Sequence, residues 1–215
     1  MRVHFLFDPS NDWLRPHLRQ VMEAYRHRYE ISEAEDPTAC EVMFILGHTK
    51  IISREVLNQN KLNLVVHESA LPSGRGFSPV QWQVFAGASR IPVCMIDANA
   101  EVDSGDIIDT DVIELEGHEL LPQIRALQAL ATVRLIRRLL DGYPKYNRTR
   151  QVGKSSTFPR RRDKDDALDA DKTLREQFNH LRIADNDRHP LYFEINGHRY
   201  TVTVTKASPS ARIGS

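Results

Sequence analysis

Cysteine is scarce in this sequence, and its histidines are scattered. The 215 residues include two cysteines, Cys40 and Cys94, which are too few for a disulfide framework and lack the C-x-x-C spacing of a zinc site. None of the nine histidines is followed by another at the fourth position, so we expect no metal cofactor. This composition suits a reducing compartment, and the sequence therefore predicts a cytoplasmic protein.

A net charge, a long apolar run and a dinucleotide fingerprint are absent as well. Lysine plus arginine equals aspartate plus glutamate at 29 each, so no net charge draws the chain to nucleic acid or to an anionic membrane. No apolar run has the length of a membrane span, and the opening MRVHFLFDPSND indicates a strand and a turn rather than a signal peptide. Because no G-x-G-x-x-G follows that strand, a nicotinamide or flavin cofactor is not predicted.

Short apolar runs alternate with amphipathic stretches along most of the chain. This alternation predicts an α/β domain with a mostly parallel sheet and helices on both faces. The predicted strands cover 3–7, 41–46, 62–66, 93–96 and 107–115. A first predicted helix ends near residue 28, and three further predicted helices cover 78–85, 117–140 and 173–181. We expect a core over 1–148, a lid with a C-terminal helix and hairpin over 149–206, and a disordered tail over 207–215.

The composition changes after the predicted core. Residues 141–171 are polar and charged, which is typical of a long loop or lid, and they include the arginine run 160–162. These arginines either form a solvated face or recognise a phosphate. Further on, Asn196-Gly197 between two alternating apolar runs predicts a β-hairpin. Two strands alone are marginal in water, so the hairpin packs either on the core or on a second copy of the chain in a homodimer.

A histidine lies where an apolar strand meets a glycine-rich loop. His67 ends the strand predicted at 62–66, and Gly74 and Gly76 in the following loop allow the backbone to turn sharply beside a ligand. The S-x-x-Q sequence at 78–81 then predicts a capped helix. The carboxyl ends of strands in open α/β sheets are ligand sites, but a histidine packed at a strand end is the simpler interpretation of His67 alone.

A second motif, Asp103-Ser104-Gly105, follows in order and at a suitable distance. Together the two segments resemble the formyltransferases that use 10-formyltetrahydrofolate. The matching positions are His67, Ser69, Leu71, Pro72, Gly76, Pro79, Trp82, the motif at 103–105 and Ile107. The upstream sequence FILGHTKII at 44–52 is similar to the family's folate-lining segment. This resemblance covers residues 41–140 and implies a Rossmann-like formyltransferase fold.

The resemblance also implies roles for individual residues. His67 is the expected donor to the oxyanion that forms on the formyl oxygen, and Asp103 is expected to take the proton of the attacking amine. The expected folate-pocket residues are Leu46, Gly47, Ile52, Pro92 and Asp97. The expected contacts with the acceptor are Ser69, Arg182 and Asn186. The co-substrate is 10-formyltetrahydrofolate, and the partners are the folate and a nucleotide-linked sugar.

One position departs from the family pattern. The family carries an asparagine two residues before the histidine, where this sequence has Val65. Asn63 cannot replace it, because four residues of strand span about 13 Å. His48 and Thr49 follow a strand expected beside this one, so either could supply a hydrogen bond, and the donor stays unassigned.

The acceptor is inferred by comparison within the family. From its length and charge we do not expect the basic C-terminal domain of methionyl-tRNA formyltransferases, and Asp8-Pro9-Ser10-Asn11 stands where phosphoribosylglycinamide-type enzymes carry a glycine-rich loop. Residues 178–193 resemble the small sugar N-formyltransferases of surface-polysaccharide pathways, which implies transfer to the amine of a nucleotide-linked amino-deoxysugar. The alternatives are a formyltetrahydrofolate hydrolase, a phosphoribosylglycinamide-type formyltransferase and a catalytically impaired folate- or nucleotide-binding module.

Overall fold

A six-stranded sheet forms the centre of the protein, described here by a computed structural model that covers residues 1–207. Its strands are β1 (Arg2–Phe7), β2 (Glu30–Ala34), β3 (Val42–Leu46), β4 (Leu62–His67), β6 (Arg90–Asp97) and β7 (Ile107–Glu114), and their spatial order is β2-β1-β3-β4-β6-β7. The first four strands pair in parallel, whereas β6 runs antiparallel to both β4 and β7. A short strand β5 (Arg75–Gly76) lies outside this sheet.

Helices cover both faces of the sheet. They are α1 (Arg15–Tyr25), α2 (Arg54–Leu57), α3 (Pro79–Phe85) and α4 (Leu121–Gly142). Along β1, Phe5 and Phe7 pack with residues of α1, α3 and α4, whereas Leu6 packs on the opposite face with Leu57 of α2. This division follows the alternation of side chains along a strand. The predicted α/β class, the mostly parallel sheet and the helices on both faces are confirmed.

Two local features differ from the predictions. Strand β2 has the sequence EISEA, in which Ile31 is the one deeply buried residue, so this polar edge strand carries too little apolar signal to be predicted. The prediction of a capping box at 78–81 is wrong. Ser78 adopts a left-handed conformation (φ 49°) and its side chain makes no capping hydrogen bond, so α3 begins directly at Pro79.

The C-terminal part contains the predicted helix and hairpin. Strand β8 (Thr157–Phe158) pairs with β5, helix α5 (Phe178–Arg182) is shorter than the predicted 173–181, and β9 (Leu191–Ile195) pairs with β10 (His198–Val202). Leu191 of the hairpin packs against Leu181 and Ala184 within the same chain. The outer hairpin residues Ile195 and Tyr200 are exposed, and the homodimer stays a prediction. The predicted disordered tail lies outside the described residues from 208 onward.

A search of residues 1–207 for membrane spans finds no helix with the necessary length and apolar character.

An ion-pair network joins β7 to α4. The Asp111 carboxylate is largely buried and accepts hydrogen bonds from Arg134 and Arg138 at 2.6–3.0 Å. Burial alone would raise the pKa of Asp111, but these two guanidinium groups and the Val112 N–H together hold it at about 2.

We expect Asp111→Asn to lower the free energy of unfolding at neutral pH by about 1 kcal/mol. The expected loss is this small because both arginines are half exposed, so solvent screens their interaction with Asp111. The folded-state pKa lies below the ordinary value, so this stabilisation is present above about pH 4 and is lost as the pH falls toward 2. Urea unfolding of wild type and of Asp111→Asn between pH 7 and pH 2.5 measures the difference in their free energies of unfolding. A difference that stays constant down to the lowest pH contradicts the assignment.

Candidate active site

His67 lies at the carboxyl end of β4 and is almost fully buried. Its Nε2 lies 2.7 Å from the Gly74 carbonyl oxygen, and because a carbonyl only accepts, Nε2 carries a hydrogen and donates. Its Nδ1 faces the Asp103 carboxylate, with 3.5 Å between Nδ1 and Oδ2. The expected juxtaposition of His67 and Asp103 is therefore present, at a distance that a small shift closes.

The Asp103 loop is held in an unusual backbone conformation. Asp103 has φ 51°, in the left-handed region that side-chain-bearing residues rarely adopt, and its Oδ2 accepts a hydrogen bond of 2.8 Å from the Gly76 N–H. Gly105 passes so close to β6 that a Cβ there would lie 1.8 Å from the Asp97 carbonyl oxygen. Backbone strain of this kind is typical of residues that the surrounding structure positions for function.

A strap formed by residues 149–158 connects the loop after His67 with the Asp103 loop. The Gln151 amide donates to the carbonyl oxygens of Asp103 and Gly105, each at 2.8 Å, and accepts a hydrogen bond of 2.8 Å from Arg75. Ser156 Oγ accepts from the Gly74 N–H at 2.9 Å. Sequence reasoning assigned this segment to a lid and missed both residues, because isolated polar side chains in a loop give no signal of their partners.

The loops open onto a cavity of about 1250 Å³ that has two chemically different ends. Toward α2 the wall is apolar, because Ile45, Ile52, Leu57, Val65 and Ala98 pack together there. Further lining residues are Leu46, Gly47, Ile51, Ile96 and Val102. A wide, mostly apolar slot with backbone polar groups suits a flat heterocycle. Leu46, Gly47 and Ile52, three of the expected folate-pocket residues, lie here.

The opposite end of the cavity is cationic. Arg125, Arg160, Arg161 and Arg188 contribute to its lining. Arg125 is paired with Asp185 at 2.8 Å, and Arg161 is paired with Asp166. The Arg160 guanidinium lies over the Phe77 ring, 4.2 Å from its centre, which orients this cation at the cavity rim. Guanidinium groups gathered in this way suit an anionic ligand such as a phosphate.

A second carboxylate lies beside His67. Glu68 lines the cavity, and its Oε1 accepts a hydrogen bond of 2.6 Å from the Gln128 amide of α4. Burial raises the pKa of Glu68, more than the His67 ring and the Gln128 hydrogen bond lower it. The shift therefore results from removing the carboxylate from water.

Two other expected folate contacts do not line the main cavity. Pro92 lies near the start of β6 and pairs with Val112 of β7. Asp97 lines a smaller neighbouring cavity, accepts a hydrogen bond from the Asn63 N–H and forms an ion pair with Arg148. The antiparallel course of β6, which the sequence did not indicate, pairs Asp97 with Leu64 and so places it three residues before His67 along β4.

The three expected acceptor contacts lie outside the cavity wall. Ser69 is buried behind the Gly74 turn. Arg182 is 3% exposed and forms an ion pair with Glu119 at 3.0 Å, which occupies its guanidinium. The Asn186 amide bonds both backbone groups of Val204 and thereby fastens the end of the hairpin. Arg125, Arg160, Arg161 and Arg188 line the cavity instead.

Asn63, His48 and Thr49 do not replace the family asparagine at Val65. The Val65 side chain forms part of the apolar cavity wall, and Asn63 bonds Leu57 and Asn60 at a distance from the site. Thr49 is committed to the Asp8 carboxylate, and His48 contacts the Lys50 carbonyl. Neither residue considered as a substitute takes that role in the structure.

Comparisons with known proteins agree with this geometry. A family model described as formyl transferase matches residues 8–128. A methionyl-tRNA formyltransferase from Sulfurihydrogenibium sp. is 24% identical over 164 residues, which are 74% of this chain and 53% of that protein, so the chain spans about half the length of this relative.

Two solved structures share the fold at low sequence identity. HypX from Aquifex aeolicus in complex with tetrahydrofolic acid aligns with a TM-score of 0.77 and 16% identity, covering 93% of this chain and 36% of that chain. A 4-N formyltransferase from Francisella tularensis aligns with a TM-score of 0.72 and 16% identity, covering 96% and 98% of the two chains.

Proposed function

This chain belongs to the formyl transferase family, and from that premise we propose that it moves the formyl group of 10-formyltetrahydrofolate to the amine of a nucleotide-linked amino-deoxysugar. The observation that carries the proposal is the contact of His67 with Asp103 at 3.5 Å, between the apolar and the cationic ends of one cavity. The reaction needs a donor for the developing oxyanion, an acceptor for the amine proton and separate sites for two substrates.

The apolar end is the proposed site of the folate. A pterin ring is flat and carries hydrogen-bonding edges, and the slot between residues 46–52 and 96–102 offers apolar walls with backbone groups at its rim. The similarity to the HypX structure, which contains tetrahydrofolic acid, supports this placement. Leu46, Gly47 and Ile52 are the proposed folate contacts.

His67 is proposed to stabilise the oxyanion on the formyl oxygen. A histidine protonated on both nitrogens donates from each, and one donor already points to the Gly74 carbonyl while Nδ1 faces Asp103. A formyl oxygen that enters beside the ring shares or displaces the Gly74 contact. Asp103 keeps the ring in this orientation, and its own position depends on the Gly76 N–H and on Gln151.

The cationic end is the proposed site of the nucleotide diphosphate. Arg160 and Arg125 lie on its wall, and a guanidinium fork binds phosphate oxygens through paired hydrogen bonds. The similarity to a 4-N formyltransferase of comparable extent supports a small acceptor. The relatives matched by sequence are methionyl-tRNA formyltransferases, so methionyl-tRNA belongs in the acceptor test.

Incubation with 10-formyltetrahydrofolate and a panel of acceptors tests this function. The panel contains nucleoside-diphosphate-linked 3-amino and 4-amino sugars and methionyl-tRNA, and mass spectrometry follows the gain of a formyl group. Formylation of an amino sugar supports the proposal. Formylation of methionyl-tRNA alone, or release of free formate with every acceptor unchanged, overturns it in favour of the respective alternative.

Neutralising Arg160 should weaken acceptor binding alone. Removing one partly exposed phosphate contact is expected to cost about 1 kcal/mol, which is roughly a fivefold rise in KM for the nucleotide sugar. We expect KM for the folate to be unchanged, and the effect to shrink as salt screens the charges. Arg162→Ala is the matched control, because Arg162 is exposed and lies outside the cavity lining. Equal acceptor KM values for Arg160→Ala and wild type at low ionic strength identify the arginine run as a solvated face.

A further inference from the structure

We propose that Glu68, rather than Asp103 as the family resemblance implies, is the general base that takes the proton from the acceptor amine, while Asp103 orients His67; this inference rests on the proposed formyl transfer. Glu68 directly follows His67, lines the same cavity, and interacts electrostatically with the His67 ring that is expected to polarise the formyl oxygen. Neither composition nor motif marks this residue, because a glutamate in a loop is most often solvated.

Glu68 is fixed at both its backbone and its side chain. Its carbonyl oxygen accepts a hydrogen bond of 2.6 Å from Gln83 of α3, and its Oε1 accepts one of 2.6 Å from Gln128 of α4. Helix α3 therefore fixes the backbone of Glu68, and helix α4 fixes its carboxylate. A base that is held in this way needs little reorganisation when the amine arrives.

The partner of Glu68 distinguishes it from the other cavity carboxylates. Asp185 is paired with Arg125, Glu101 is paired with Arg75, and Asp103 faces His67 and accepts from a backbone N–H. An ion pair stabilises the charged form of a carboxylate and makes it a weaker base. Glu68 is hydrogen-bonded by a neutral amide instead, and burial raises its pKa, which favours the uptake of a proton.

The α4 face explains why an amine would reach Glu68. Leu121, Arg125, Gln128 and Thr132 line the cavity at intervals of three and four residues, as one face of a helix requires. Arg125 and Gln128 are therefore neighbours on that face, about one turn apart. An acceptor whose anionic part lies toward Arg125 and the rim arginines can extend its amine along this face to the Gln128–Glu68 pair.

The proposed formyl transfer conserves atoms, electron pairs and protons. The neutral amine nitrogen attacks the formyl carbon and forms the new carbon–nitrogen bond, while the carbonyl electron pair moves to the oxygen beside His67. The nitrogen then loses one proton to Glu68. When the oxyanion reforms the carbonyl, the bond from the formyl carbon to N10 breaks with its electron pair on N10, and that nitrogen receives the proton from Glu68. The net products are the formamide and tetrahydrofolate, and Glu68 returns to its carboxylate form.

The pH dependence of Glu68→Gln tests this role. We expect kcat to fall by about 10²-fold, which is the lower range for general acid–base catalysis, with KM for the folate unchanged. In wild type a base must be ionised, so activity should decline as the pH falls through the raised pKa of Glu68. The variant should lose this acidic limb, whereas Glu30→Gln, an exposed glutamate on β2, should keep both the limb and full activity.

Gln128→Met separates a base from a merely structural carboxylate. The Gln128 hydrogen bond lowers the pKa of Glu68, so its removal should move the acidic limb to higher pH. Because the same bond holds the carboxylate in place, the maximal rate above the limb should fall as well, but by less than in Glu68→Gln. Thermal unfolding of all variants checks that they are folded. If wild type formylates an acceptor and Glu68→Gln keeps its rate and pH profile, the Glu68 proposal fails alone. If wild type formylates no acceptor, the proposed function fails and this inference with it.

Discussion

Replacing His67 by alanine is expected to lower kcat/KM for formyl transfer by about 10²–10³-fold, because the removal of one oxyanion donor typically costs that much. Val65 increases this dependence, since it places an apolar side chain where the family carries a second polar group. The His67 ring is buried against Gly74 and Asp103, so the variant also leaves a small void. We expect the fold to tolerate that void and the loss to appear in kcat rather than in folate binding.

Steady-state kinetics and thermal unfolding of the same preparations separate these effects. His118→Ala is the matched control, because His118 is half exposed, pairs with Glu116 and lies outside the cavity lining. Tetrahydrofolate binding, followed by fluorescence, should be similar in wild type and both variants. A folded His67→Ala protein with wild-type kcat would remove His67 from the chemistry and leave the His67–Asp103 contact as a structural feature.

The local motifs predicted the juxtaposition of His67 and Asp103 but not the residues that surround them. His67 and Asp103 were identified because each lies in a short segment whose residues turn the backbone, and such segments keep their form in any context. Gln151, Ser156 and Glu68 gave no signal, since their importance comes from partners at sequence separations such as 48 residues for Gln151 and Asp103, or 60 for Glu68 and Gln128. A single sequence does not encode these pairings in any local pattern.

The errors in the expected acceptor contacts have the same origin. Arg182 carries a charge that suits an anionic substrate, but the fold buries its guanidinium against Glu119, 63 residues away along the chain. A buried guanidinium needs such a charged partner, so Arg182 is engaged in an ion pair. The direction of a strand relative to its neighbours could not be predicted from the sequence either. The apolar run at 93–96 predicts a strand but carries no information on whether it runs parallel to β4, and its antiparallel course moves Asp97 away from His67.

The close packing of the D-x-G turn at 103–105 against β6 fixes the position of Asp103. Gly105 lies where any Cβ would collide with the Asp97 carbonyl oxygen, and the Gln151 amide clamps the same turn through Asp103 and Gly105. The Asp103 carboxylate is thus positioned by β6 on one side and by the 149–158 strap on the other. Its reach toward His67 depends on the close approach of backbone to backbone that only glycine allows.

Gly105→Ala should therefore disrupt both stability and catalysis. A Cβ 1.8 Å from the Asp97 oxygen forces the backbone to shift, and we expect a loss of about 1–3 kcal/mol in the free energy of unfolding, as in overpacked cores. The shift carries Asp103 with it, and a misplacement of about 1 Å in a catalytic group costs roughly 10²-fold in rate. Urea unfolding and formyl-transfer kinetics measure the two losses.

Gly142→Ala is the control for this substitution. Gly142 ends α4, and a Cβ there meets no atom within 4 Å, so the change should be neutral or slightly stabilising through the better helix propensity of alanine. Because both variants add one methyl group, a difference between them reports the site rather than the substitution. If Gly105→Ala is as stable and as active as Gly142→Ala, the turn has room to relax, and the position of Asp103 does not depend on the contact between Gly105 and β6.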